Sequence, residues 1–222
     1  GEKQMKGKWR AFVVIFTAAY VLTGCGAISS PIEYDSADAA KEALQSASVL
    51  TVECNLEDAD PAGNLLADGK IAGFMKNTGF INLKWTVSVD DVDWFYLKIV
   101  TDEPINDVEG IVSGTTYAYY DMDDTCLGYS QEQVIDGAFF IAFLDADGNR
   151  KDYLASEDGT VLFDSSFNVI GRAKGQHSIL GSDCQITVTM EDGVDQEVDL
   201  KDKLAMTMPI YDEEKRWYLD NK

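Results

Sequence analysis

Several things are scarce in this chain, and each scarcity excludes a class of function. Among 222 residues there is one histidine, there are four cysteines and four prolines, and basic residues number 18 against 39 acidic. The single histidine, His177, would have to serve any Ser-His-Asp arrangement, and no nucleophile-elbow sequence accompanies it. It sits in Lys174-Gly175-Gln176-His177-Ser178 and reads as a solvated loop side chain. No CxxC pair or Cys/His cluster occurs, which argues against a structural zinc site. No glycine loop is built to cradle phosphate. A formal net charge of −21 repels nucleic acid and anionic headgroups, and leaves cations or basic partners as the favoured charged ligands. No apolar run reaches the roughly 20 residues needed to span a bilayer as a helix. An apolar share of 45%, with ten Tyr, ten Phe and four Trp, is that of a folded chain rather than a disordered one. No cofactor is expected and no catalytic residues are assigned.

The longest apolar run, Ala11–Leu22, is preceded by Lys6, Lys8 and Arg10 and followed by Thr23-Gly24-Cys25. A positive start, a short apolar core and small residues before a cut site describe a secretory signal peptide. Leu22-Thr23-Gly24-Cys25 resembles the lipobox of bacterial lipoproteins. The resemblance implies removal of residues 1–24, lipidation of Cys25 and attachment to a membrane through that lipid. It implies a place in the cell envelope, outside the cytoplasm. With Gly26 after the cysteine, it implies the outer membrane in a cell that has two. The leader carries four basic residues and one acidic, so the remainder is more acidic still. Residues 25–35 read as a lipidated tether, and residues 36–222 as a single β-rich domain.

Ser36-Ala37-Asp38-Ala39-Ala40-Lys41-Glu42-Ala43-Leu44-Gln45 has the marks of one short helix: a capping serine, an early aspartate and alanines. From Val49 onward the period becomes two. Strands are expected over Val49–Leu56, Lys70–Lys76, Phe80–Val89, Trp94–Val100, Ile111–Tyr120, Val134–Leu144, Asp152–Ala155, Thr160–Phe163, Val169–Arg172, Asp183–Met190 and Val194–Leu200. A further inward face is expected at Leu204, Met206, Met208 and Ile210. Asn77-Thr78-Gly79 and Glu191-Asp192-Gly193 read as turns. So do Asp147-Gly148-Asn149, Asp158-Gly159-Thr160 and Ser166-Phe167-Asn168, about ten residues apart. The fold class is mainly β: antiparallel sheets forming a sandwich, a barrel or a curved half-barrel, with one short N-terminal helix. Ile111-Val112-Ser113-Gly114-Thr115-Thr116-Tyr117-Ala118-Tyr119-Tyr120-Asp121, with Leu83-Lys84-Trp85 before it, resembles the central hairpin of the lipoprotein-carrier half-barrels (LolA-like and LppX-like proteins). Ser113 stands where that family has aspartate. The resemblance implies an open half-barrel holding a greasy ligand on its concave face.

Candidate sites follow from residue type. Trp94, Tyr96, Tyr117 and Tyr119 are aromatic candidates for stacking an apolar ligand or a glycan, against the alternative that they are core. Asp90-Asp91-x-Asp93, Asp121-x-Asp123-Asp124 and Asp145-x-Asp147-x-Asn149 are calcium candidates, with Asp121, Asp123 and Asp124 foremost. Turn chemistry explains all three more simply, because Asp and Asn bond their own backbone. Cys54 and Cys184 both fall on inward faces, as two free thiols or as a bridge. Cys126 completes the set. The functional expectation is a membrane-anchored, non-catalytic binding module for an apolar ligand or glycan. The alternatives are an assembly subunit that docks a basic protein partner through its acidic surface, and an envelope hydrolase.

Overall fold

The computed structural model describes residues 29–58, 61–78, 84–101, 116–178, 181–193 and 197–222. Cys25, the leader and the segment 111–115 lie outside the described residues. Helix α1 (Ala37–Ser46) opens the fold, and the Ser36 hydroxyl caps it by accepting from the Ala39 N–H at 3.2 Å. Twelve strands follow: β1 (Val49–Asn55), β2 (Gly63–Ala67), β3 (Lys70–Asn77), β4 (Lys84–Val89), β5 (Val92–Thr101), β6 (Thr116–Asp121), β7 (Cys126–Ile135), β8 (Ala138–Leu144), β9 (Arg150–Ser156), β10 (Val161–Asp164), β11 (Val169–His177) and β12 (Asp183–Met190). Helix α2 (Leu200–Asn221) ends the chain.

Each strand pairs antiparallel with the next. β1 closes the ring on β12, with Val52 opposite Ile186 and Cys54 opposite Cys184. This is a complete up-and-down barrel, not a sandwich or the open half-barrel that the resemblance implies. Leu50, Val52, Cys54, Cys184, Ile186 and Val188 are buried inside it, while Glu53, Thr51, Gln185 and Thr187 alternate with them on the outer face. On these strands the polarity is the reverse of a membrane-spanning barrel, whose lipid face is apolar. No described helix is long and apolar enough to cross a membrane.

The tight turns explain much of the regularity. Asp68-Gly69, Asp90-Asp91 and Asp136-Gly137 are two-residue connections with both residues at positive φ. That geometry matches the right-handed twist of the flanking strands and favours Asp and Gly. Asp136-Gly137 therefore splits the expected single strand Val134–Leu144 into the β7–β8 hairpin. Strand β2 and all of β7 before Val134 are additions to the strands read from sequence.

The largest correction concerns the C-terminus. Leu204, Met206, Met208 and Ile210 do not form a strand but belong to α2, and the expected strand Val194–Leu200 is not formed at 197–200, where irregular chain leads into the helix. From Leu200 to Tyr211, ten of twelve α2 residues are buried, including Ala205 and Thr207 between the expected inward positions. A helix buried on every side has no polar stripe, so its period of 3.6 vanishes from the sequence. The reason for burial is position. α2 runs inside the barrel. At its start the Lys203 ammonium donates to the Ala47 carbonyl, just before β1; later the Tyr211 hydroxyl donates to the carbonyls of Asn55, which ends β1, and of Asp58, just beyond it. Its 22 residues span about 33 Å, enough to pass from one end to the other. Leu204, Met206, Met208 and Ile210 are each at most 3% exposed. Burial of such side chains contributes about 1.5–3 kcal/mol apiece.

Candidate functional site

α2 enters the barrel through a polar knot. Asp199 and Asp202, three residues apart, lie on one side of its first turn. The Lys151 ammonium from β9 donates to Asp202 at 2.7 Å and also to Asp199. The Tyr153 hydroxyl donates to Asp202 at 2.7 Å. Asp202 is fully buried, and burial pushes its carboxyl up from the ordinary value, even though Lys151 and Tyr153 pull it down. Tyr119, inside the barrel, is pushed well up, first by burial and then by the Asp202 charge. The Tyr119 hydroxyl, the Ser130 hydroxyl and Asp202 Oδ1 are buried together, with Tyr119 facing both Ser130 and Asp202.

The same end of the barrel carries an acidic rim. Because the strands alternate in direction, the β2–β3, β4–β5, β6–β7, β8–β9 and β10–β11 turns and the segment after β12 all emerge where α2 enters. They expose Asp68, Asp90, Asp91, Asp123, Asp124, Asp147, Glu191 and Asp192 and contain no basic residue. Lys70 and Arg150 open the strands that follow, and Arg172 pairs with Glu191 at 3.1 Å, so the rim stays net negative. At the opposite end Lys215 of α2 binds the Asp58 carbonyl, and Lys222, just past the helix, binds the Glu57 carboxylate.

Three rim turns share one construction. Asp121 Oδ1 accepts the N–H groups of Asp123 and Thr125. Asp145 Oδ1 accepts those of Asp147 and Asn149, and Asp164 Oδ1 those of Ser166 and Asn168. Hydrogen bonds to Asn149 and Asn168 hold Asp145 and Asp164 below the usual carboxylate range. The fourth residue of each turn, Asp124, Gly148 or Phe167, has positive φ. The calcium candidates Asp121, Asp123 and Asp124 are thus turn residues, and Asp121 spends one oxygen on its own backbone. Among the described residues no group of three His, Cys, Asp or Glu side chains is arranged to hold a metal ion.

The aromatic candidates separate. Tyr119 is wholly buried in the core, and Tyr117 packs its ring on Trp85 with centroids 5.8 Å apart. Tyr96 stacks on Tyr120 at 5.2 Å under the Lys84 ammonium, 3.5 Å from its ring, and its hydroxyl donates to Asp124 at 2.5 Å. Burial, and then Asp124, push the Tyr96 phenol up to about 12. Trp94 lies near the α2 entrance, with the Lys41 ammonium 5.6 Å from its ring. Together with Phe95, Leu127, Val198 and Leu200 it lines a cavity of about 360 Å³ at the rim. The four rings therefore do not form one platform.

Cys54 and Cys184 face each other across β1 and β12 as free buried thiols, with the Cys54 Sγ–H donating to the Cys184 carbonyl at 3.4 Å. Contact with Cys184, then burial, pushes the Cys54 thiol up. Cys126 is free and half-buried. His177 is not a solvated loop residue. It ends β11, its ring stacks on Trp217 at 3.9 Å, and Nδ1 bonds the Glu214 carboxylate. The sequence reading missed this contact because Glu214 and Trp217 are brought there only by α2. Comparison with family models, with curated proteins and with solved structures found no match.

Proposed function

We propose that this chain is a lipid-anchored envelope lipoprotein that works as a non-catalytic docking subunit. It takes a basic protein partner on the acidic rim, with the Trp94 cavity receiving one anchoring side chain. The observation that carries this reading is the occupied bore. A carrier of greasy ligands needs a hollow apolar interior, and here Leu204, Met206, Met208 and Tyr211 fill it. The chemistry that remains exposed is the rim: eight carboxylates on the end of the barrel where the Trp94 cavity lies, the cavity itself carrying Asp121, Glu197 and Asp199 beside Lys201. A buried aromatic or cationic anchor inside a charged ring is the usual distribution of binding energy at a protein interface. The Trp94 cavity also favours a second reading, a glycan stacked on that ring.

The two readings separate in one experiment. The protein is purified in detergent from envelopes of its native host at low and at high salt. Docking predicts a stoichiometric basic protein at low salt. That protein is lost at 0.5 M salt (where the Debye length falls to about 4 Å) and lost in the D90N/D91N/D123N variant. A glycan or lipid recovered in its place, with no protein partner, contradicts the docking reading.

A further inference from the structure

The ring closes where the first strand of the chain meets the last, and two thiols face each other on that seam. Cys54 of β1 and Cys184 of β12 are register partners 130 residues apart in sequence. The pair falls in step with Leu56–Ser182 and Ser48–Met190, in which the Leu56 and Met190 N–H groups donate straight across. It is therefore a hydrogen-bonded pair of the ladder, a geometry that sets its Cα atoms about 5.5 Å apart. A disulfide spans Cα separations of about 4.4–6.8 Å, so the seam can be bridged without moving the backbone. Both side chains point into the barrel and meet there. The Cys54 Sγ–H reaches the Cys184 carbonyl at 3.4 Å, and the two thiols lie close enough for each to shift the ionisation of the other. Cys126 does not compete, because it lies on β7, on the far side of the ring. Among the described residues no third His, Cys, Asp or Glu joins the pair to hold a metal ion.

We propose that Cys54 and Cys184 are a redox-modification site: they exchange with a low-molecular-weight disulfide to form a bridge that closes the barrel covalently. One protein thiolate attacks the S–S bond of the reagent RSSR, forming a mixed disulfide and releasing one RSH. The other protein thiolate displaces the second RS group, which leaves as RSH, and the Cys54–Cys184 bond forms. Two protein thiols are oxidised, one RSSR is reduced, and the two thiol protons leave on the two RSH. Cys54 is 8% exposed and Cys184 2%, so the exchange proceeds through fraying of the ladder end, where Asn55–Asp183 is the next pair. The bridge ties together residues 130 apart and so constrains the unfolded chain strongly. Tyr211 bonds the Asn55 carbonyl beside Cys54, so the staple also fixes the wall where α2 leaves the bore. The reaction goes beyond the docking reading, since it needs neither the acidic rim nor a lipid anchor.

The test treats the folded, full-length protein with excess oxidised glutathione at mildly alkaline pH. Remaining thiols are then alkylated, and tryptic peptides are mapped without reduction. The expected product joins residues 42–70 to residues 175–201, is lighter by two hydrogens than the separate peptides, and is split by dithiothreitol. The thermal midpoint of the oxidised protein is expected to exceed that of the reduced protein by roughly 5–15 °C. C126S is expected to keep that rise, and C54S and C184S to lose it. Glutathione retained on Cys54 or Cys184, a bridge to Cys126, or Cys54 and Cys184 both still alkylated after prolonged treatment overturns the proposal. So does a bridge that forms only in urea, or a bridged protein with an unchanged midpoint. All of these outcomes are read on the parent protein, so the proposal remains testable if C54S or C184S fails to fold.

Discussion

Replacing Asp202 with alanine is expected to lower the unfolding free energy by about 3–5 kcal/mol, the usual cost of removing one partner from a buried ion pair. The substitution takes an acceptor from the Tyr153 hydroxyl and from the Lys151 ammonium, whose side chain is 16% exposed. Asp199 continues to hold Lys151, so the effect belongs toward the lower end of that range. D202N leaves Tyr153 an acceptor and is expected to cost roughly half as much, since a net hydrogen bond contributes about 1 kcal/mol. The two variants also differ from the parent in pH dependence. Burial raises the Asp202 carboxyl above its ordinary 3.8. Between 3.8 and the raised value the folded protein holds a proton that the unfolded chain has released. Stability from this residue therefore falls as pH rises through that window, and D202N removes the slope. Urea denaturation across pH 4–7 measures both effects. A loss below about 1 kcal/mol for D202A would mean that the knot does not hold the helix.

Gly159 to alanine is expected to be strongly damaging, because it bears on α2. Gly159 has φ +72, and a Cβ built there lies 2.3 Å from the Met206 carbonyl oxygen and 3.0 Å from Pro209 Cγ. The neighbour in the way is helix backbone, which cannot rotate aside. The β9–β10 turn or α2 must shift, at a cost of about 3 kcal/mol or more. For a domain of this size that lowers the thermal midpoint by about 6–12 °C. Gly137 is the control. Its φ is +83 with nothing within 4 Å, so G137A carries the backbone cost alone, about 1–2 kcal/mol. Equal shifts in the two variants would mean that the turn does not touch the helix.

Much of the barrel wall was legible because its determinants are local. Val49–Asn55 and Asp183–Met190 alternate cleanly, Ser36 announces α1, and aspartates mark the turns. The acidic clusters were legible as turns. Their collection into one rim was not, since it depends on strands alternating in direction around a closed ring. Ring closure was equally hidden, because nothing local says that β1 pairs with β12. The inward faces of Cys54 and Cys184 could be read from alternation, but their direct opposition required the register. α2 was misread for a physical reason. Inside the barrel every side is core, so Leu204-x-Met206-x-Met208-x-Ile210 imitates a strand while Ala205 and Thr207 are buried as well. Pro209, a poor residue for a helix interior, adds no helical signal of its own. The Trp94 candidate survives as a cavity lining, whereas Tyr119 is core.

Amide hydrogen exchange along α2 tests the plugged barrel most directly. If Leu200–Tyr211 lies inside the wall, its amides open only when the whole barrel opens. Their protection should then equal that of β1 and β12, and should drop after Asp212, where the helix emerges. Rapid exchange from Leu204 to Ile210 while the strands stay protected would place the helix outside and leave the bore free for a ligand.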